Sequence, residues 1–297
     1  MKQGKIAALG PKGTYGHQAA VIARKVLQGR GVETEEDFLF RSRNEDILST
    51  VAIMGDEGCF GVAPIENARG LLVSEVAGHW LLESRLAHRS PLVVIGEIHL
   101  PIQHCLLAHP SVTDVTEIER VMSHPQALLQ CAGRLNALGL SPVFQVPEKS
   151  TAEAAEKVAN DPLMRSTAAI ASSFAAEFYG LKILERGLEQ QFGNETRFHI
   201  LGVEPVGPTG NDRTAVMFEL PNKPSAIFNV LAPIAQENVN MTALISISLG
   251  EMNKYAFYVE MDCHMETEEG QRIKAQIEAH TITSIFLGSY PREKREV

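Results

Sequence analysis

Gly10-Pro11-Lys12-Gly13-Thr14-Tyr15-Gly16-His17 lies between a short apolar run, Lys5–Leu9, and a helical pattern from Gln18 to Leu27. A glycine-rich turn joining a strand to a helix is the opening unit of an α/β fold. It leaves backbone N–H groups facing whatever sits over the helix N-terminus, a place suited to an anion. The spacing fits neither the dinucleotide fingerprint nor a P-loop, because Gly10, Gly13 and Gly16 lie three apart and no Lys-Ser/Thr pair follows.

The alternation continues along the chain. Phe60-Gly61-Val62-Ala63-Pro64-Ile65-Glu66-Asn67 is an apolar strand that ends in a carboxylate and an amide. Ligands of open α/β sheets sit at the carboxyl ends of strands, so that pair is a site candidate. Ile95–Ala108 is strand-like, and Val121-Met122 leads into Ser123-His124-Pro125-Gln126, where Ser123 reads as an N-cap with Pro125 in the first turn. Val143–Val146 is a further strand. Ser150-Thr151-Ala152-Glu153 starts a helix, with Glu153 placed for a capping box with Ser150. Ala168–Ser172 and Leu181–Leu184 are strands around a helix at Phe174–Tyr179. The pattern predicts one or two largely parallel sheets.

Past Leu201 the character shifts. Val203–Asp212 carries Pro205, Gly207, Pro208 and Gly210, the composition of a linker. Then follow strand Thr214–Leu220, helix Ser225–Glu237, strands Met241–Leu249 and Lys254–Asp262, helix Glu268–His280 and strand Ile282–Tyr290. That order, βαββαβ, is the ferredoxin-like module.

With 297 residues, 44% hydrophobic and 21% charged, the chain has ordinary globular composition and the length for more than one domain. Its net charge of −9 argues against nucleic-acid binding but leaves room for a small anionic substrate held by local N–H groups and arginines. Cys59, Cys105, Cys131 and Cys263 form no CxxC pair, and His99, His104, His109 and His124 lack metal-ligand spacing and read as structural. No cofactor or metal is expected. Neither a signal sequence nor an apolar run near the ~18 residues of a membrane span is evident, so a cytoplasmic location is expected.

The densest chemistry lies in Gly193-Asn194-Glu195-Thr196-Arg197-Phe198, ahead of His199-Ile200-Leu201. Strand alternation puts Asn194, Thr196 and Phe198 on one face, Glu195 and Arg197 on the other. A hydroxyl fixed at a strand end can donate to a departing or bound oxygen, and a guanidinium can fork onto a carboxylate.

These stretches together resemble the prephenate dehydratase family. The match runs through GPKGTY (from Gly10), GVAPIEN (from Gly61), GEIHLPIQHCLL (from Gly96), SHPQALLQC (from Ser123), STAEAA (from Ser150), AAIAS (from Ala168) and NETRF (from Asn194). The C-terminal part resembles the family's regulatory ACT domain. The resemblance implies an α/β, two-lobed, type II periplasmic-binding-protein-like domain over 1–203, a linker over 204–212 and an ACT domain over 213–297. Crossover strands are expected near 98–108 and 196–201.

By the same resemblance, Thr196 would donate to the leaving ring hydroxyl of prephenate, and Arg197 would pair with a carboxylate or brace the site. Gly13, Thr14, Asn67, Ser150 and Thr151 would anchor substrate, joined by Asn194, Phe198, Ser123 and Gln126, with Glu66 orienting its neighbours. Phenylpyruvate would be the product, and a homodimer or homotetramer the assembly. Two hydroxyls of the family pattern are absent, at Gly16 and Ala68. Of the expected effector-site positions, Pro224, Ser225, Ala226 and Ile227 replace a Gly-Ala-Leu stretch. Ile245 and Ser246 fall where the family has Glu-Ser-Arg-Pro. This implies weakened or absent phenylalanine feedback. Alternatives are a relative acting on arogenate or decarboxylating prephenate without aromatisation, and a non-catalytic small-anion sensor. Thr196 speaks against the decarboxylase, because that outcome keeps the ring hydroxyl.

Overall fold

The computed structural model describes residues 3–67, 71–85, 92–140, 145–189, 193–251 and 254–293. Three sheets organise it.

The first contains β1 (Gly4–Leu9), β2 (Thr34–Arg41), β3 (Cys59–Asn67), β4 (Leu71–Leu72), β5 (Val93–Pro101) and, from much later in the chain, β11 (Glu195–Gly202), in the order β2-β1-β3-β11-β5 with β4 beside β3. Helix α1 (Tyr15–Gly29) packs Ala19, Ala20, Ala23 and Leu27 on one face, against Ile6, Ala8, Val62 and Ile200. Helices α2 (Asn44–Met54) and α3 (Ser74–Arg85) cover the other with Ile47, Leu48, Val51, Val76 and Trp80.

The second sheet holds β6 (Cys105–Ala108), β7 (Arg120–Ser123), β8 (Gln145–Pro147), β9 (Thr167–Ala171) and β10 (Lys182–Arg186), ordered β10-β6-β9-β7-β8. Helix α4 (Pro125–Ala137) lies on one face, and α5 (Thr151–Asn160) with α6 (Ser173–Tyr179) on the other.

One or two largely parallel sheets were expected; in each of the two, four strands share one direction, and β11 or β6 is set against them. The β1–β2, β1–β3, β7–β8 and β7–β9 pairs run parallel. Strand β11 is antiparallel to both β3 and β5, and β6 to both β9 and β10. The chain leaves the first lobe, builds the second and threads back between β3 and β5 against their direction. The crossings are therefore the short segments after Pro101 and after Arg186. Residues 196–201, expected as a crossover strand, lie within the first sheet between β3 and the edge strand β5. The two crossings bond each other: Leu188 N–H donates to His104 O at 3.0 Å and Ile102 N–H to Asn194 O at 2.8 Å.

The third sheet has β12 (Asp212–Glu219), β13 (Met241–Ser248), β14 (Tyr255–Met261) and β15 (Thr283–Pro291), ordered β13-β14-β12-β15, all antiparallel. With α7 (Ala226–Gln236) and α8 (Glu268–His280) the order is the βαββαβ read from the sequence. One face buries Val216, Phe218, Val259 and Met261 against Val230, Ile234, Ile273 and Ile277 of the helices. The other is seated on the first lobe, so Ala215, Met217, Tyr258, Leu287 and Tyr290 share one apolar core with Ala7, Val94 and Leu201.

The segment expected as a linker is pinned at both ends. Val206 packs on the core, its carbonyl 2.9 Å from His264 Nε2, and Asp212 accepts from Thr209 and Gly210. Arg292 reaches Asp262 at 2.6 Å.

The module lies close against the first lobe at Gly288, whose φ is 149° and where a Cβ would lie 2.3 Å from Val94 O. Backbone stands in the way on both counts. Gly288→Ala is therefore expected to lower stability by about 3 kcal/mol, combining strain with overpacking, and to lower Tm in a thermal melt.

Candidate functional site

A cleft of about 510 Å³ opens between the two lobes. The first lobe contributes Gly10, Thr14, Tyr15 and Gly16 from the turn into α1, and Pro64 and Asn67 from the end of β3. The start of β11 brings Asn194, Thr196 and Phe198, and the crossing brings Ile102 and His104. The second lobe adds His124, Gln126, Ala127 and Gln130 from α4 and Lys149, Ser150 and Thr151 from α5.

Three helices thus point their N-termini at one space, where orphan N–H groups and the helix dipole favour negative charge. Thr14 Oγ1 caps α1 by accepting from His17 N, and its own proton goes to Pro11 O at 2.8 Å. Ser150 Oγ caps α5 by accepting from Glu153 N at 3.0 Å. Glu153 turns away toward Lys157, at 3.9 Å. The first-turn amides of Tyr15, Gly16, Thr151 and Ala152 have no carbonyl one turn back and are placed to bind oxygen anions. Lys149 is the one Lys or Arg among the described residues that line the cleft.

Opposite the helix ends, the Thr196 hydroxyl sits at the mouth of β11, in register with Asn67 on β3. His104 is buried, and burial lowers its pKa, so the ring is neutral where its Nε2 meets Gln130 Oε1 at 3.2 Å.

Of the expected substrate residues, Thr14, Asn67, Gln126, Ser150, Thr151, Asn194 and Phe198 line the cleft together with Thr196. Gly13 does not: its φ of 79° and a hypothetical Cβ 2.5 Å from Tyr179 show that it admits the α6 ring, whose hydroxyl donates to Lys12 O at 2.9 Å. Ser123 is no cap. It is fully buried and donates to Ile170 O at 2.7 Å, while His124 caps α4 through Nδ1. Gly16 leaves no room for a side chain, since a Cβ would lie 2.5 Å from Leu9 O, and Ala68 lies outside the described residues.

Arg197 and Glu66 are also absent from the cleft. They lie on the far face of the first sheet and line a second, highly polar cavity of about 940 Å³ under the C-terminal module. Arg197 is 6% exposed and held by Glu66 at 2.8 Å, Glu97 at 3.2 Å and Glu260 of β14 at 2.8 Å. Arg213 meets Glu97 at 3.0 Å, and His99 joins Glu195 at 2.6 Å. Among the positions considered for an effector, Ile245 packs on the core shared with the first lobe. Ser246, Pro224 and Ser225 are exposed, and none of the six lines either cavity.

Tyr15 and Lys149 were not singled out from sequence, and His104 and His124, read there as structural, line the cleft as well. Lys149 had a signal: a cation directly before a Ser-Thr helix start, where an acid is the usual dipole partner.

A two-lobed α/β protein with an anion-seeking cleft and a ferredoxin-like module on one lobe is the class these features define. Residues 6–206 match the prephenate dehydratase family, and the chain belongs to it. Arogenate dehydratase/prephenate dehydratase 6, chloroplastic, of Arabidopsis thaliana is 36% identical over 249 residues, 78% of this chain and 58% of the relative. The chain thus spans under two thirds of the length of such plant relatives. Among solved structures, one described as GqqA, a novel type of quorum quenching acylase, superposes with a TM-score of 0.78 at 29% identity, covering 97% of each chain. Prephenate dehydratase from Arthrobacter aurescens in complex with L-Phe gives 0.76 at 25%, covering 97% of this chain and 90% of that one.

Two tests follow. Ser123→Ala leaves the Ile170 carbonyl without its donor, so about 1–3 kcal/mol of stability should go while ligand affinity in the cleft stays unchanged. The second concerns acid. Burial alone would raise the pKa of Glu97 and Glu260. Contact with His99, Arg213 and Arg197 for Glu97, and with His199 and Arg197 for Glu260, outweighs it and holds each at about 2. Between the unfolded value near 4.3 and about 2, the unfolded chain binds protons that the native state refuses. Stability should therefore fall as pH drops through that window, by up to about 1.4 kcal/mol per pH unit for each carboxylate. Glu260→Gln should remove its share of that slope in Tm measured against pH.

Proposed function

We propose that the protein is a carbon–oxygen lyase that converts prephenate to phenylpyruvate in phenylalanine biosynthesis. The observation that carries this is the meeting, in one cleft, of the Thr196 hydroxyl with the N-termini of α1 and α5 and with Lys149. Prephenate has two carboxylates and a ring hydroxyl. The N–H groups and Lys149 suit the carboxylates, and Thr196 suits the hydroxyl.

In the reaction the ring C–O bond breaks and the oxygen leaves as water with a proton relayed from solvent. The bond to the ring carboxylate breaks toward the ring, releasing CO2 and completing the aromatic system. Aromatisation supplies the driving force, so positioning and electrostatics are what the protein must add. The threonine pKa is too high for outright proton transfer, and its role is hydrogen bonding to the departing oxygen.

The C-terminal module is read as an ACT domain, expected to pair with a second copy and, with Ile-Ser-Ile-Ser from Ile245 to Ser248 in place of the family's Glu-Ser-Arg-Pro, to respond weakly or not at all to phenylalanine.

Ultraviolet detection of phenylpyruvate from prephenate at neutral pH, against a no-enzyme control, tests the reading. Thr196→Ala should lower kcat by about 10²–10³-fold with substrate binding kept. No turnover of prephenate by folded protein would overturn the assignment, and arogenate, whose side-chain amine makes phenylalanine the product, tests the nearest alternative with phenylalanine as the readout.

A further inference from the structure

Thr196 and Arg197 are consecutive on β11 and face opposite ways, Thr196 into the interlobe cleft and Arg197 into the cavity beneath the C-terminal module. The partners across the β3–β11 ladder match: Thr196 lies opposite Asn67 and Arg197 opposite Glu66. Two cleft residues are thus each one peptide away from the two members of a forked ion pair, in which Arg197 Nε and Nη2 donate to Glu66 Oε2 at 3.2 and 2.8 Å. The remaining guanidinium nitrogen reaches Glu97 on β5 and Glu260 on β14. Glu260 is 1% exposed and is clasped by the Tyr258 hydroxyl, with Arg213 Nη1 at 3.9 Å.

We infer that Glu260, in the C-terminal module, is a positioning residue for the cleft, acting through Arg197 on the placement of Thr196 and Asn67. This rests on the dehydratase reading only for its kinetic readout. Directly after a crossing, Thr196 enters the sheet between Asn67 of β3 and Leu100 of β5. Arg197 braces this end of β11 from the far face, and one of its three carboxylates, Glu260, belongs to a different module. A shift of the module is thereby felt at the cleft without any side chain of the module entering it.

Glu260→Gln keeps volume and removes the charge. It is expected to lower kcat about tenfold while KM stays within about twofold, because Thr196 acts on the departing oxygen rather than on binding. In an Arg197→Lys background, where the fork is already lost, Glu260→Gln should add little further loss of kcat. Ile273→Val, in the core beneath α8, serves as a comparison for plain loss of stability and should leave kcat at the wild-type level. Hydrogen exchange of the peptide 195–202 gives an activity-free readout: faster in Glu260→Gln, unchanged in Ile273→Val.

Wild-type kcat and exchange in folded Glu260→Gln would overturn the inference, as would effects that Ile273→Val reproduces. If Glu260→Gln does not fold, Glu260→Asp, which keeps the charge and draws it back from Arg197, takes its place with the same expected direction. If wild-type protein turns over neither prephenate nor arogenate, the dehydratase reading falls, and the exchange comparison alone decides the positioning role.

Discussion

A single guanidinium, buried and shared among carboxylates from three strands, sets the relation between the parts of this protein. Arg197 joins β3 and β5 within the first sheet and β14 within the third. Taking such charges out of water is costly, and replacing them by apolar groups is often neutral or stabilising. What the arrangement supplies is a defined geometry. An apolar seam tolerates sliding, whereas a fork with fixed acceptors does not. The apolar core shared by lobe and module supplies cohesion, and the ionic layer beside it fixes where the module sits.

The cleft obeys a different economy of charge. The whole chain is acidic, yet among the described residues the space between the lobes is lined by helix N-termini and one lysine, while the carboxylates near it are gathered on the other face of the sheet. A single sheet thus separates an anion-seeking surface from an acid-rich one. Strand alternation makes this possible: neighbouring residues of β3 and β11 serve opposite faces with no turn between them.

Much of this was legible in the sequence, and the boundary of legibility is physical. The alternation over 194–198 assigned faces correctly because it is a property of local backbone. The βαββαβ order was readable for the same reason. The partners of Arg197 were not, since Glu66, Glu97 and Glu260 are distant in the chain and any of many carboxylates would have served as well on paper. Placing Arg197 in the cleft followed its neighbour's chemistry rather than its own facing direction. Ser123 was misread as a cap although Pro125 held the clue: proline at the first helical position makes His124 the cap. The antiparallel insertion of β11 could not be foreseen, because nothing local records which strands a late segment will return between.

That return sets an order of events during synthesis. The second lobe is encoded without interruption from β6 to β10, and it can close as soon as it is made. The first lobe begins earlier but lacks β11 until after the second is complete, and part of one face stays bare until β15 has been added. A growing chain therefore carries a half-built sheet with a vacant lane between β3 and β5, its unpaired backbone edges facing each other, from the completion of β5 at Pro101 until β11 begins at Glu195.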